Sequence, residues 1–399
     1  MTRHVFLLFH RYIGLLMAVF LIIAGVTGSA IAFYDELDAG LNPTLYQVEP
    51  PGTPPLSLDE IARKIDQQYL QGNAFIRYTK FPEKDDIAIR FYLLANHDPS
   101  TGEPYPLAFN WIFANPYTGE VLGTRTFGAW KLDSAHIMPL LWELHYSLTL
   151  PWPYGEWIFG AVALLWTLDC CMAVYLTFPR SRRKFFRQWP KAWSVNLRVG
   201  AARAIRDSHI AFSLWLWGML FMLAVSGVMF NLNHQVYQPV LSKIVDYEHV
   251  HDTLPEPTAE QRQQRISLET ARQKAREYLQ DWQAENSFTV YEEDSLTLDM
   301  RKYAYRYKVK SALDLPASYA QTAIYLSAAD GRFLARSHPR VDTGNFISTW
   351  LGALHMGRVF GAWYQWVMFF MGIVVTLVTV SGVMIWWRKR RSGKPKGHN

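Results

Sequence analysis

The chain of 399 residues carries a net charge of +6, is 50% hydrophobic and has two cysteines, Cys170 and Cys171, side by side. Adjacent cysteines exclude a disulfide framework, a Cys-x-x-Cys redox motif, a c-type haem attachment motif and a cysteine zinc site. Four apolar runs set the class, and they make the basic excess a matter of membrane topology, with no nucleic-acid partner implied.

The runs are Tyr12 to Tyr34, Trp157 to Phe178, Ile210 to Leu232 and Trp363 to Trp387. At about 1.5 Å per residue each is roughly 33 to 38 Å long as a helix, enough to cross a ~30 Å hydrocarbon core. The lipid bilayer is the first expected partner. The first run has a basic start and a Ser29-Ala30 step, but it is too long for a typical signal-peptide core and reads as a signal anchor. Between the second and third runs stand Arg180, Arg182, Arg183, Lys184, Arg187, Lys191, Arg198, Arg203 and Arg206 against one acid, Asp207. The tail adds Arg388, Lys389, Arg390, Arg391, Lys394 and Lys396. By the positive-inside rule these regions, and the N-terminus with Arg3 and Arg11, are cytoplasmic. The two long loops then lie outside, which in a bacterium places the chain in the inner membrane and the loops in the periplasm.

After the first span, Pro50, Pro51, Pro54 and Pro55 form a linker to Ser57-Leu58-Asp59-Glu60, a capping box that opens a helix to about Leu70. Alternating segments follow near Ile87 to Leu94 and Leu107 to Ala114, then a turn at Asn115-Pro116-Tyr117-Thr118-Gly119 and a short strand. The second loop repeats the plan. Ser267 caps a helix to about Leu279, strands are expected at Tyr303 to Lys310 and Thr322 to Leu326, and Ala329-Asp330-Gly331 makes the turn. WIFANPYTGEVLG (Trp111 to Gly123) and AIYLSAADGRFLA (Ala323 to Ala335) align without a gap, glycine on glycine.

The spans match as well. Leu144-His145 and Leu354-His355 each precede a span with Gly-x-Trp at its mouth, Gly155 to Trp157 and Gly361 to Trp363. Val26-Thr27-Gly28 parallels Val225-Ser226-Gly227, while Val380-Ser381-Gly382 meets Asp169-Cys170-Cys171, where the pattern is lost. These glycines would allow close helix approach or make room for a macrocycle. The expected fold class is a membrane α-helical protein of four transmembrane helices in a parallel tandem duplication, with two small α+β outer domains. Its parts are a transmembrane helix at 1–34, an outer domain at 35–135, and an outer-face helix with the second span at 136–179. A basic loop at 180–207 follows, then a third span at 208–232, a second outer domain at 233–349, a fourth span at 350–388 and a cytoplasmic tail at 389–399.

A twofold axis along the membrane normal sets His10 opposite His209 near the inner face and His145 opposite His355 near the outer face. Facing imidazoles in a helix bundle are what a six-coordinate haem requires, so two b-type haems are expected, ligated by His10/His209 and by His145/His355. Two histidines without a nearby thiolate or carboxylate are short of ligands for zinc or non-haem iron, whereas haem brings four nitrogens of its own. Arg11 and Arg358 are placed to pair with propionates, or are flanking charges. Asp169, the one charge within a span, is expected either to handle protons near the inner haem or to sit half-buried in contact with water. His136 is half a turn out of phase with His145, and His234 has no twin; neither is expected to be a ligand.

The chain resembles the PepSY-associated transmembrane family, and within it the inner-membrane ferric-siderophore reductases of the FoxB type. The resemblance is carried by His10-Arg11-Tyr12-Ile13-Gly14-Leu15, Thr27-Gly28, Asn115-Pro116-Tyr117-Thr118-Gly119-Glu120-Val121-Leu122, Leu144-His145, Leu354-His355-Met356-Gly357 and Ser381-Gly382. It implies PepSY-type outer domains, two b-type haems in a four-helix core, and electrons passed outward to a periplasmic iron-siderophore complex. Ser208-His209-Ile210 departs from the pattern, lacking the Arg and Gly that follow His10. The ferric siderophore, of hydroxamate type among others, would sit in a groove between the two outer domains, near Trp142, Tyr146, Trp152, Tyr154 and Trp350, which also suit an interfacial aromatic belt. With no G-x-G-x-x-G and no P-loop, electrons would come from quinol or a separate cytoplasmic donor. The alternative is non-redox, a membrane-anchored regulator of a protease or an envelope sensor, in which the histidines are structural.

Overall fold

A computed structural model describes residues 2–316, 318–340 and 343–392; Lys394, Lys396 and His398 of the tail lie outside them. The helices used below are α1 Thr2–Ile31, α2 Leu58–Ile65, α3 Ser134–Tyr146, α4 Tyr154–Thr177, α5 Ala201–Trp215, α6 Trp217–Asn231, α7 Leu268–Asn286, α8 Gly344–His355 and α9 Ala362–Ser392. The strands are β1 Ala74–Lys80, β2 Ile89–Ala95, β3 Trp111–Ala114, β4 Val121–Arg125, β5 Val290–Asp299, β6 Ala304–Ser311, β7 Thr322–Ser327 and β8 Phe333–Ser337. The chain divides into a helical unit (Met1–Tyr34, Leu141–Ile244 and Leu351–Asn399) and a sheet unit (Asp35–Leu140 and Val245–Trp350).

In the helical unit α1, α4 and α9 are long and apolar enough to cross a membrane. The third apolar run is not the single helix expected at 208–232. It is broken into α5 and α6, which meet at 71°, so among the described residues the helices long and apolar enough to cross a membrane number three, or four if the bent pair is one span. No proline marks the break. Leu216 leaves helical geometry at φ −107 and ψ 12, and the Trp217 indole N–H donates to the Cys170 carbonyl at 3.1 Å, an anchor on α4 that holds the start of α6.

Helices α1 and α9 cross closely at Gly25 and Gly372. A Cβ at Gly25 would stand 2.7 Å from the Gly372 carbonyl, and one at Gly372 would stand 2.5 Å from that of Gly25. Ser29 Oγ–H donates across this crossing to the Phe369 carbonyl at 2.9 Å. Small residues here let the backbones touch, the usual route to packing in lipid, where apolar burial offers no net drive. Met17 of α1, Val162 of α4, Leu220 of α6 and Met371 and Val375 of α9 pack into a buried apolar cluster.

The sheet unit corrects the expectation of two separate small sheets. All eight strands form one antiparallel sheet in the order β4-β3-β2-β1-β5-β6-β7-β8. It is closed in the middle by Tyr78↔Thr297, Thr79↔Leu296 and Lys80↔Ser295. Two separate four-stranded meanders would have four open edges between them, and pairing β1 with β5 removes two of these, leaving β4 and β8 at the ends of the sheet. The Lys80–Asp294 ion pair at 2.7 Å fastens the seam. A strand pairing thus takes these edges of the expected groove.

Helices α2 and α7 start as their sequences predict. Ser57 and Glu60 form the capping box on α2, and Ser267 accepts from the Thr270 N–H on α7. The two N-termini also cap each other, since the Leu58 N–H donates to Glu269 Oε2 at 2.9 Å and the Glu269 N–H to Asp59 Oδ1 at 3.1 Å. Leu58, Ile61, Ile65, Phe91 and Ile112 share a core with Ala271, Leu279, Leu298 and Tyr305. Each segment would have only a small core alone; together they bury one of domain size.

Candidate functional site

The four matched histidines meet in two pairs, both within the helical unit. His10 of α1 and His209 of α5 have ring centroids 6.3 Å apart and planes at 51°. His145, near the end of α3, and His355, the last residue of α8, have centroids 6.1 Å apart and planes at 68°. All four rings are half-buried.

Every hydrogen bond these rings make among the described residues is at Nδ1. His145 Nδ1 lies 3.0 Å from the Ala24 carbonyl and 3.1 Å from Thr27 Oγ1. A carbonyl only accepts, so Nδ1 carries the proton. His209 Nδ1 lies 3.0 Å from both the Val378 carbonyl and Ser381 Oγ, which fixes the same tautomer. His355 Nδ1 is 2.6 Å from Ser226 Oγ, whose own proton faces the Met222 carbonyl at 2.8 Å, so the ring donates there too. His10 Nδ1 donates to Asp169, 2.9 and 3.0 Å from its two carboxylate oxygens. In all four rings Nε2 makes no hydrogen bond among the described residues, the arrangement found in metal-bound histidines whose other nitrogen is held by the protein.

The Ser/Thr-Gly pairs found in the spans therefore serve the histidines directly. The hydroxyls of Thr27, Ser226 and Ser381 hold rings, a role not expected from the sequence, which marked the adjoining glycines for helix approach or room for a macrocycle. A Cβ at Gly28 would stand 2.9 Å from His145 Cε1, and one at Gly382 would stand 3.2 Å from His209 Cε1. These two glycines make room for an imidazole and not for a neighbouring backbone. Gly227 fits the original expectation, with the Ala163 Cβ at 3.0 Å.

The donor set fits a haem better than a bare ion. Two imidazoles on one iron, each nitrogen about 2 Å from it, have centroids about 6 Å apart, which matches both pairs. Among the described residues no group of three or more His, Cys, Asp and Glu could hold a metal ion unaided, so a partner that brings its own nitrogens suits the pairs. Asp169 is buried, 7% exposed, and bonded to His10, so the expected half-buried, water-facing carboxylate is not what forms.

Arg11 follows His10 on α1, about 100° round the helix from it. Arg358 lies in the turn between α8 and α9, its backbone N–H donating to Ala353. His136 bonds Asp133 at 2.6 Å and His234 bonds Gln238 at 3.0 Å, both away from the pairs. Trp142 packs edge-on against Tyr34, and Trp152 and Tyr154 are exposed, as belt residues are.

The model of the PepSY-associated TM region matches residues 7–389, nearly the whole chain, including both histidine pairs and the sheet unit. The chain belongs to this family. A search of curated proteins finds no match. Membership agrees with the apolar helices in making this PepSY-associated chain a membrane protein.

Proposed function

We propose that this protein is a di-haem b reductase of the bacterial inner membrane, which takes electrons from quinol or a cytoplasmic donor and reduces ferric siderophore in the periplasm. The observation that carries this is the pair of imidazole pairs, each with Nδ1–H tied back and Nε2 free at the spacing of two ligands on one iron. Haem held on both faces by histidine supplies one-electron transfer and leaves no open position for oxygen chemistry.

The protein's own part is to hold, orient and insulate. His10 and His209 would hold one haem and His145 and His355 the other, with Arg11 and Arg358 as partners for the propionates. The cluster around Met17, Val162 and Met371 is apolar and would keep water from the helical core. We read the bent α5–α6 pair as one span, giving four in a tandem repeat with both termini cytoplasmic. The support is paired contacts: Thr27 on His145 matches Ser226 on His355, and Asp169 on His10 matches Ser381 on His209.

Siderophores hold Fe(III) through hard oxygen ligands. One added electron gives Fe(II), which those ligands bind more weakly, so reduction is release. The likeness of the histidine and glycine motifs to ferric-siderophore reductases, hydroxamate substrates included, supports this substrate class.

The deciding measurement is the visible spectrum of the purified protein before and after dithionite. Low-spin b-type haem at two per chain by pyridine haemochrome is expected. A colourless, folded preparation from haem-replete cells would leave only the regulator reading, with structural histidines. In sealed proteoliposomes a donor inside should then reduce an external ferric hydroxamate, with Fe(II) trapped by an external chelator.

A further inference from the structure

The four rings have similar spacings but not similar supports. Three donate Nδ1–H to neutral oxygens, of Ala24 and Thr27, of Val378 and Ser381, and of Ser226. The fourth, His10, donates to a carboxylate that is itself buried, with both oxygens of Asp169 within 3.0 Å. A carboxylate draws the Nδ1 proton toward itself and makes the ring a stronger electron donor through Nε2. It also sets a full negative charge in a low-dielectric interior, where charge acts strongly on a nearby metal. Both effects favour ferric over ferrous iron. A carbonyl or hydroxyl offers only a dipole.

Resting on the di-haem reading above, we infer that Asp169 is a positioning residue that gives the His10/His209 site the lower reduction potential of the two. An electron shared between the sites then resides at His145/His355. The direction of the relay is written into one side chain, at the place where the repeat of Ser-Gly is broken.

The test is potentiometric titration of the intact purified protein, followed by its visible spectrum. Haem content is read first. If the unsubstituted protein holds no haem, the reductase reading falls and this inference with it; two haems per chain isolate the question of Asp169. Two one-electron waves are expected, the lower one remaining in a His145→Ala variant that keeps the His10/His209 haem. Asp169→Asn keeps the shape and an acceptor oxygen but removes the charge. It should raise the ferrous-to-ferric ratio of the lower wave at fixed potential at least tenfold, a 59 mV shift for one electron, and leave the upper wave in place. Asp169→Glu should restore the low potential. Should the neutral variant fail to hold haem, the ferric electron paramagnetic resonance of the unsubstituted protein still decides, because the lower-potential haem must show the stronger axial donation of imidazolate character. A single wave, a lower wave belonging to His145/His355, or a lower wave unmoved by Asp169→Asn would each overturn the inference.

Discussion

The two histidine pairs reach almost the same spacing by different routes, and the difference shows what each depends on. His10 and His209 project from within the helices α1 and α5, and their Nδ1 partners stand on other long helices, Asp169 on α4 and Ser381 on α9. His145 and His355 lie at the ends of the short helices α3 and α8, with their partners Thr27 and Ser226 in α1 and α6. One site is therefore set by how the long helices pack. The other is set by how two short helices are clipped onto them.

The strongest way to break this comparison is to remove ligands. His145→Ala or His355→Ala should lower the haem content from two per chain to one and spare the His10/His209 haem, and His10→Ala or His209→Ala should do the reverse. Haemochrome assays with the redox spectrum of the remaining haem distinguish the two outcomes. If changing His10 and changing His145 empty the same site, the pairs have been wrongly drawn.

Much of this site was legible in the sequence because a repeat makes faint features count twice. The four histidines, the Ser/Thr-Gly steps and the capping box at Ser57 all stand in matched positions. The joining of the sheet did not show, and its two joining strands are the ones that escaped prediction. In β5 the register shifts between Val290 and Glu292 and again between Glu293 and Ser295, so the period-two pattern is scrambled just where Glu292, Glu293 and Asp294 follow one another. In β1 a shift between Ile76 and Tyr78 puts Thr79, fully buried, where alternation from Ala74 and Ile76 would put an exposed residue. Asp169 was visible as a charge but not as a histidine partner. Alignment of the apolar pattern sets it opposite Val380, whereas side-chain reach gives it the role of Ser381.

A gentler perturbation sharpens the comparison within the clipped pair. His355 has Ser226 Oγ as its Nδ1 partner among the described residues, whereas His145 has both the Ala24 carbonyl and Thr27 Oγ1. Ser226→Ala should therefore weaken retention of the His145/His355 haem by roughly 10- to 100-fold, the usual cost of losing a ligand's supporting partner. Thr27→Val leaves the carbonyl in place and should cost only a few-fold. Haem transfer to an excess of apomyoglobin measures both. Equal losses would mean that the Ala24 carbonyl does not hold the ring.

The smallest expected effect on the haems comes from the sheet unit, which makes it the control for all the others. Glu293 of β5 is bonded by Arg272 and Arg276 of α7 and by the Tyr307 hydroxyl of β6. Burial alone would raise its carboxyl, but the bonds from Arg276 and Arg272 outweigh that and hold it down at about 2, against an ordinary value of 4.5. A depressed carboxyl stabilises the fold fully above its unfolded value, and this is lost as pH falls from about 4.5 toward 2. At neutral pH the contribution is on the order of 3 kcal/mol at most, from a shift of this size. Glu293→Gln should then lower the thermal midpoint at pH 7 and flatten the stability profile across that acid window. Haem content and both potentials should stay as they were, because none of the four paired histidines and none of their Nδ1 partners lies in the sheet unit. A changed potential in this variant would show that the two sites are not set by their own four rings and those rings' partners, and the contrast between Asp169 and the hydroxyls would lose its force.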